Sequence, residues 1–96
     1  MLTGKQKRYL RSLAVQISPS LQVGKLGISD NVVLQLEEAL TARELAKVRV
    51  LSSSPVKVND VASILSERTE SDIVQVIGRS IVFYRQGEKP EITLPE

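Results

Sequence analysis

The sequence predicts a single α/β (α+β) domain in which a mixed four-stranded sheet packs against helices. Three segments carry apolar residues at helical spacing, four short runs are rich in β-forming residues, and the last two runs flank a short glycine-containing turn. The predicted order of elements is therefore α-β-α-β-α-β-β. Because 96 residues cannot enclose two hydrophobic cores, we expect one domain, with its core over residues 1–86 and an extended tail over residues 87–96.

The first predicted helix begins at Thr3, because the Thr3 hydroxyl and the Gln6 amide can form a capping box. Its apolar stripe recurs at helical spacing and consists of Leu10, Leu13, Ala14 and Ile17. Residues 18–20 (SPS) interrupt this spacing. The alternation of the next three residues predicts a short strand that ends at Gly24.

The second predicted helix is capped by Ser29 and runs to about Glu44. Its predicted buried stripe, which leaves Leu34 outside, contains Val32, Val33, Leu36, Ala39 and Leu40. Residues 47–51 (KVRVL) then alternate between polar and apolar side chains. This alternation is typical of a strand with one buried face.

The third predicted helix follows a serine-rich turn, in which Ser54 and Pro55 suit the cap and the first helical position, and it ends near Thr69. Residues 73–77 and 81–84 are β-rich and predict a tight antiparallel hairpin, with glycine supplying the unusual dihedral angle of its turn. The proline-containing tail should be extended. Two apolar tail residues either add an edge strand or cover apolar surface, namely Ile92 and Leu94.

Charge is distributed unevenly along the chain. Of thirteen basic and eleven acidic residues, every acidic one lies at Asp30 or beyond. The basic residues before that point are Lys5, Lys7, Arg8, Arg11 and Lys25. A helix that was merely soluble would usually pair such charges with glutamates one turn away, and this one cannot. The basic segment therefore predicts contact with a polyanion, and nucleic acid is the favoured class.

A short glycine-flanked loop, Gly24-Lys25-Leu26-Gly27, follows the first predicted strand. Backbone without a Cβ can approach a phosphate closely, and Lys25 adds a positive charge. The alternative is an ordinary turn that needs left-handed backbone. Asp30 in the first turn of the next helix would repel an anion on the helix axis. A phosphate is therefore expected on the loop side, near Lys25.

Composition argues against an enzyme. The chain has neither cysteine nor histidine, which removes disulfides, thiol nucleophiles, common zinc sites and imidazole bases. The clustered carboxylates could bind Mg²⁺, but a solvated helix face is favoured for Asp60, Glu67, Glu70 and Asp72. We expect no cofactor and no metal. A signal-peptide core and a membrane-length apolar run are both missing, so we expect a cytoplasmic protein without membrane contact.

Several stretches, in this order, resemble the YhbY-like proteins, the stand-alone bacterial form of the CRM (chloroplast RNA splicing and ribosome maturation) domain. They are residues 5–11 (KQKRYLR), 23–29 (VGKLGIS), 38–40 (EAL), 44–48 (ELAKV) and 74–85 (VQVIGRSIVFYR). A GxxG loop alone occurs by chance, whereas the loop, the ELxKV segment and the GRxIVxYR hairpin together are specific. The resemblance extends to residues 92–95 and so covers nearly the whole chain.

The resemblance implies a fold similar to the C-terminal domain of bacterial translation initiation factor three. It also implies RNA binding through the GxxG loop and the basic first helix. Stand-alone bacterial members are associated with precursors of the large ribosomal subunit, and plant relatives with intron splicing. The expected partners are precursor ribosomal RNA and pre-ribosomal particles, bound by a monomer. Docking on an acidic protein and non-specific DNA binding are the alternatives.

Two further features bear on the expected RNA contact. Arg79 and Arg85 bracket the predicted hairpin strand and either extend the RNA-binding surface or are charges at its rim. The aromatic residues are Tyr9, Phe83 and Tyr84. Alternation should bury one of the latter two, so base stacking can involve one or two side chains. Recognition of RNA shape and backbone should then dominate over reading of sequence.

Overall fold

The computed structural model of the protein describes residues 2–96 and confirms the predicted order of elements. In chain order the elements are α1 (Gly4–Ala14), β1 (Leu21–Val23), α2 (Asp30–Arg43), β2 (Leu45–Val50), α3 (Val58–Thr69), β3 (Asp72–Ile77) and β4 (Ser80–Tyr84). Among these residues, no helix is both long and apolar enough to cross a membrane.

The strands form one mixed four-stranded sheet, as predicted, and the structure gives their order as β1-β2-β4-β3. β1 and β2 are parallel and are connected through α2, whereas β4 is antiparallel to both of its neighbours. The glycine loop after β1, the chain leaving β2 and the β3–β4 turn consequently lie at one end of the sheet. We call this end the loop end.

Helices cover both faces of the sheet. The larger core cluster lies between the sheet and the helices α2 and α3, and it includes Val48, Ile81 and Phe83. On the other face, Leu10 and Ala14 of α1 pack in a second cluster with strand residues that include Leu45, Val82 and Tyr84. Alternation along each strand therefore divides the molecule into an α2/α3 side and an α1 side.

The helix starts follow the predicted capping chemistry at two of three positions. Gln6 N–H donates to Thr3 Oγ1 at 3.1 Å and Thr3 N–H donates to Gln6 Oε1 at 3.0 Å, which completes the capping box of α1. Ser29 Oγ accepts from the Val32 N–H at 3.2 Å. The predicted stripe of α2 is also confirmed: Leu36 and Leu40 are fully buried, while Leu34 is 55% exposed.

Several predicted boundaries were wrong, and α1 ends at Ala14, before the predicted stripe residue Ile17. α3 begins at Val58 after Lys57, not at Pro55. Ser54 Oγ instead accepts from the Val56 N–H at 3.1 Å and donates to the Val56 carbonyl at 2.8 Å, so the serine closes a local turn. β2 begins at Leu45 and ends at Val50, because hydrogen bonding to β4 continues to the first residue after α2's cap.

Two further predictions concern the glycine of the hairpin turn and the conformation of the tail. Gly78 has φ +56°, which confirms that glycine supplies the unusual dihedral of the β3–β4 turn. The tail adds no strand, and Ile92 and Leu94 instead pack against the α1-side core cluster. The Gln6 side-chain amide donates to the Pro95 carbonyl at 3.1 Å, so the tail also contacts α1.

Glu44 holds the tail in place. It caps α2 with left-handed backbone, φ +65°, and is buried. One carboxylate oxygen accepts from the Gly87 N–H at 2.6 Å. The other accepts from the N–H groups of Glu91 and Ile92 at 2.7 and 2.9 Å. We call this set of bonds the Glu44 clasp.

Candidate nucleic-acid interface

α1 presents an uncompensated basic surface. Leu10 and Ala14 point into the core, which leaves Lys5, Arg8 and Arg11 exposed on the outer faces of the helix. Lys7 lies half-buried on its flank. Because α1 contains no acidic residue, none of these charges is neutralised within the helix.

The glycine loop is a tight turn at the loop end of the sheet. Gly27 N–H donates to the Gly24 carbonyl at 2.9 Å, and Gly27 has φ +66°. Between the glycines, Lys25 is exposed and the Leu26 side chain is 84% exposed. Leu26 therefore takes no part in the core and is available for contact with a ligand.

The two glycines of the loop meet different constraints. A Cβ on Gly27 would combine a left-handed backbone with a 3.4 Å contact to Cγ of Pro55. A Cβ on Gly24 would meet only Leu51 and Ser53, at ordinary distances of 3.6 and 3.7 Å, and Gly24 lacks a positive φ. The geometry of the turn thus explains why glycine occupies position 27, but it does not explain why glycine occupies position 24.

This difference gives a matched pair of variants. Gly27→Ala should destabilise the fold by about 1–2 kcal/mol, because a side chain is disfavoured in left-handed backbone. Gly24→Ala should change the free energy of unfolding by less than about 0.5 kcal/mol. If the Gly24 backbone lies against phosphate, Gly24→Ala will nevertheless weaken RNA binding. Thermal melting and RNA titration of the same preparations measure both quantities, and unchanged affinity for Gly24→Ala would argue that the loop is only a turn.

Arg79 lies at the loop end of the sheet, as the glycine loop does. It occupies the exposed β3–β4 turn, and its carbonyl accepts from the Val50 N–H at 2.7 Å. Leu51, the first residue after β2, donates its N–H to the carbonyl of Val23 at the end of β1, at 2.8 Å. Arg79 is thus placed at the loop end with Lys25, and its contact with RNA stays a prediction.

Arg85 has a different environment. Its guanidinium pairs with the Glu37 carboxylate at 3.0 Å, and it donates to the Thr69 carbonyl at 2.8 Å and to Thr41 Oγ1 at 3.0 Å. These contacts tie α2 to the C-terminal end of α3. They favour a role for Arg85 within the fold rather than in RNA contact.

The aromatic side chains leave little surface for base stacking. Phe83 and Tyr84 do alternate between the two sides of the sheet, but both are buried because helices or tail cover the sheet at each position. The expectation that only one of them faces a core was wrong. Tyr9 on α1 is 39% exposed, so it is the aromatic residue that can reach a base.

Two basic residues of β2 were missed as candidates. Ala46, Val48 and Val50 belong to the α2/α3-side core, so Lys47 and Arg49 point to the α1 side. Arg49 is exposed and Lys47 is half-buried. Strand alternation carried this signal in the sequence, but it did not tell which side of the sheet α1 covers.

The helices on the opposite side of the sheet are richer in acidic than in basic residues. The helices α2 and α3 carry Asp30, Glu37, Glu38, Asp60 and Glu67. Two of these acids are paired, Asp30 with Arg68 at 3.7 Å and Glu37 with Arg85. Within residues 2–96, no three acidic groups are placed to hold a metal ion together. The same two helices carry Arg43 and Arg68, so the contrast is between α1, with four basic residues and no acidic one, and α2 with α3, with five acidic and two basic residues.

Comparisons with known proteins agree with this architecture. The profile of the family described as CRS1 / YhbY (CRM) domain matches residues 2–85. "Probable RNA-binding protein YqeI" of Bacillus subtilis is 51% identical over 96 residues, covering 99% of this chain and 100% of the relative. An "RNA-binding protein" of Haemophilus influenzae is 33% identical over 94 residues, covering 98% and 95%. The solution structure of hypothetical protein SAV1595 from Staphylococcus aureus superposes with a TM-score of 0.83 at 52% identity, covering 99% and 100%.

Proposed function

Because this chain belongs to the CRS1/YhbY (CRM) domain family, we propose that it is an RNA-binding protein whose binding surface lies on the α1 side and at the loop end of the sheet. The observation that carries this proposal is the outer surface of α1, which exposes Lys5, Arg8 and Arg11 with no acidic residue in the helix. The names of the relatives from Bacillus subtilis and Haemophilus influenzae support the same class of ligand.

The proposed contacts divide between two elements. On α1, the lysine side chains bind phosphates as point charges, and the arginine side chains bind them through bidentate hydrogen bonds. The glycine loop brings its backbone and Lys25 to a phosphate at the loop end, and Arg79 extends the surface there. Asp30 is exposed at the start of α2, which keeps the bound phosphate away from the axis of that helix.

We further propose that the RNA is a precursor of large-subunit ribosomal RNA and that the protein assists assembly of that subunit. This finer assignment is supported by the resemblance to stand-alone bacterial members of the family. The protein would act in the cytoplasm as a monomer, by binding alone and without catalysis. Its lack of cysteine and histidine fits a role that needs no reactive side chain.

Crosslinking in cell lysate, followed by sequencing of the attached RNA, tests the proposal directly. Enrichment of precursor large-subunit RNA is the expected result. Recovery of protein without RNA would favour the adaptor alternative, in which α1 docks on an acidic protein. Competition between duplex RNA and duplex DNA separates the DNA alternative, because A-form and B-form duplexes present different grooves and only RNA has the 2′-hydroxyl.

Gradient sedimentation gives an independent prediction. An assembly factor acts before the mature surface is complete, so the protein should travel with precursor large-subunit particles and be scarce on translating ribosomes. Immunoblotting across a gradient of lysate measures this distribution. Equal abundance on polysomes would contradict the assembly role and favour one in translation, while leaving RNA binding itself intact.

A further inference from the structure

A row of side chains crosses all four strands on the α1 side of the sheet, next to the loop end. The strand register aligns Gln22 with Arg49, Arg49 with Ser80, and Ser80 with Ile77. Residues directly opposite each other in a sheet point to the same face, so these four side chains lie side by side. We call this row the cross-sheet strip.

The strip is not covered by the helix that shields the rest of this face. α1 and the tail pack over the rows that contain Leu45, Val82 and Tyr84. In the strip, Gln22 and Arg49 are exposed, Ser80 is half-buried, and Ile77 is 61% exposed. A sheet usually needs one covered face, and here part of the second face stays open to solvent.

The composition of the strip suits bases better than phosphates. Arg49 offers a planar guanidinium that can stack on a base, and Gln22 and Ser80 each offer both a donor and an acceptor. Ile77 adds an apolar surface. None of these side chains is acidic, and Lys47 in the neighbouring row adds a positive charge on the same side. A purely electrostatic surface would not need the amide, the hydroxyl and the isoleucine.

The dimensions of the strip also suit bases. Four strands about 4.8 Å apart give a row roughly 14 Å long. On a four-stranded sheet of another RNA-binding fold, a comparable surface holds two or three bases. Lys25 and Arg79 lie at the adjoining loop end, where they can bind the phosphates of the same strand. Bases within a duplex are stacked and paired, so only an unpaired segment can lay its bases on a flat sheet.

We propose that the cross-sheet strip binds the bases of an unpaired RNA segment, about two or three nucleotides long. This inference rests on the proposed RNA-binding function and adds a base-contacting surface to its phosphate-contacting one. Arg49 stacks on a base, Gln22 and Ser80 bond base edges, and Ile77 contacts a base face. The protein would then distinguish unpaired RNA from duplex RNA despite having few exposed aromatic residues.

The test compares two probes, a mixed-sequence single-stranded RNA of twelve nucleotides and a duplex RNA of sixteen base pairs. Arg49→Ala combined with Gln22→Ala should weaken single-strand binding about tenfold, because stacking of a base on a protein side chain contributes on that scale. Duplex binding should fall less than about threefold, the effect of one lost exposed charge. Arg43→Ala removes an exposed arginine from the α2/α3 side and should change neither affinity by more than about twofold.

Arg49→Lys separates stacking from charge. Lysine keeps the charge but lacks the planar guanidinium, so Arg49→Lys made together with Gln22→Ala should bind duplex RNA better than the double alanine variant and bind single-stranded RNA no better. Equal losses for both probes, full rescue by lysine, or unchanged binding in the folded double variant would each overturn the strip and leave the proposed function standing. Failure of the wild-type protein to bind either RNA would overturn the proposed function and the strip with it. Thermal melting confirms that each variant is folded.

Discussion

Reversing two charges on α1, Arg8→Glu with Arg11→Glu, should reduce RNA affinity by at least about 100-fold at physiological salt. A unit charge about 4 Å from a phosphate in water contributes about 1 kcal/mol, and each reversal removes one attraction and adds one repulsion. Two reversals therefore amount to about 4 kcal/mol before screening by salt lowers the value. Titration of RNA at several salt concentrations measures both the affinity and its salt dependence.

The slope of log affinity against log salt should also become shallower in this variant, because fewer phosphates release counterions. Both arginines are exposed on a helix whose core contacts come from other positions, so the melting temperature should change little. Arg43→Glu with Lys89→Glu is the matched control, since it changes net charge equally through two exposed residues outside α1. A folded α1 variant that bound RNA as well as this control would remove α1 from the mechanism.

Local patterns in the sequence were sufficient for the elements whose chemistry is local. The stripe of α2 followed from helical spacing, and Gly78 followed from the need for a positive φ in a tight hairpin. The start of α3 was mispredicted because Ser54 and Pro55 satisfy the rules for a helix cap equally well when they form a separate turn. Local rules do not decide between two local structures that both satisfy them.

Partners distant in sequence explain what the patterns missed. Arg85 bonds to Glu37 and Thr41, which lie 48 and 44 positions away in the chain. No periodicity within the hairpin could reveal those partners. Arg49 was visible as a polar position in an alternating strand. Its exposure in the cross-sheet strip, however, depends on α1 covering only part of one sheet face. That coverage is a property of packing between elements, so it appears only in the folded structure.

Glu44 is the largest such omission, because its place at the end of a helix and at the start of the ELxKV segment does not indicate that its side chain bonds to the tail. Replacing it with alanine should lower the free energy of unfolding by about 3 kcal/mol, since backbone N–H groups bonded to a charged carboxylate lose that partner. For a domain of this size, the melting temperature should fall by about 12 °C or more. The tail should also lose its protection from hydrogen exchange, because the N–H groups of Gly87, Glu91 and Ile92 are the ones released.

Glu70 supplies a matched control for the backbone of Glu44. It also caps a helix with left-handed backbone, φ +53°, but it is exposed. Alanine at either position carries a similar conformational penalty, so the difference between Glu44→Ala and Glu70→Ala isolates the Glu44 clasp. A difference below about 0.5 kcal/mol would show that the clasp contributes nothing measurable to stability.

Acid should weaken the clasp, because the pKa of Glu44 is lowered in the folded protein. Burial acts to raise the pKa of Glu44, but the backbone N–H groups of Gly87, Ile92 and Glu91 together outweigh it and hold the pKa below its usual value of 4.5. The unfolded chain therefore takes up this proton first as pH falls. The contribution of the clasp is present above about pH 4.5 and is lost as pH falls through the lower pKa of the folded state.

A neutral replacement, Glu44→Gln, should therefore show a smaller loss of stability between pH 6 and pH 3 than the wild-type protein shows, even though it is less stable at pH 6. Tyr84 does not titrate between pH 3 and pH 6. Its burial, followed by the charges of Glu44 and Asp72, raises its pKa further into the alkaline range. Urea unfolding at several pH values measures the difference. Parallel pH profiles for the two proteins would mean that Glu44 is not the group that couples tail docking to protonation.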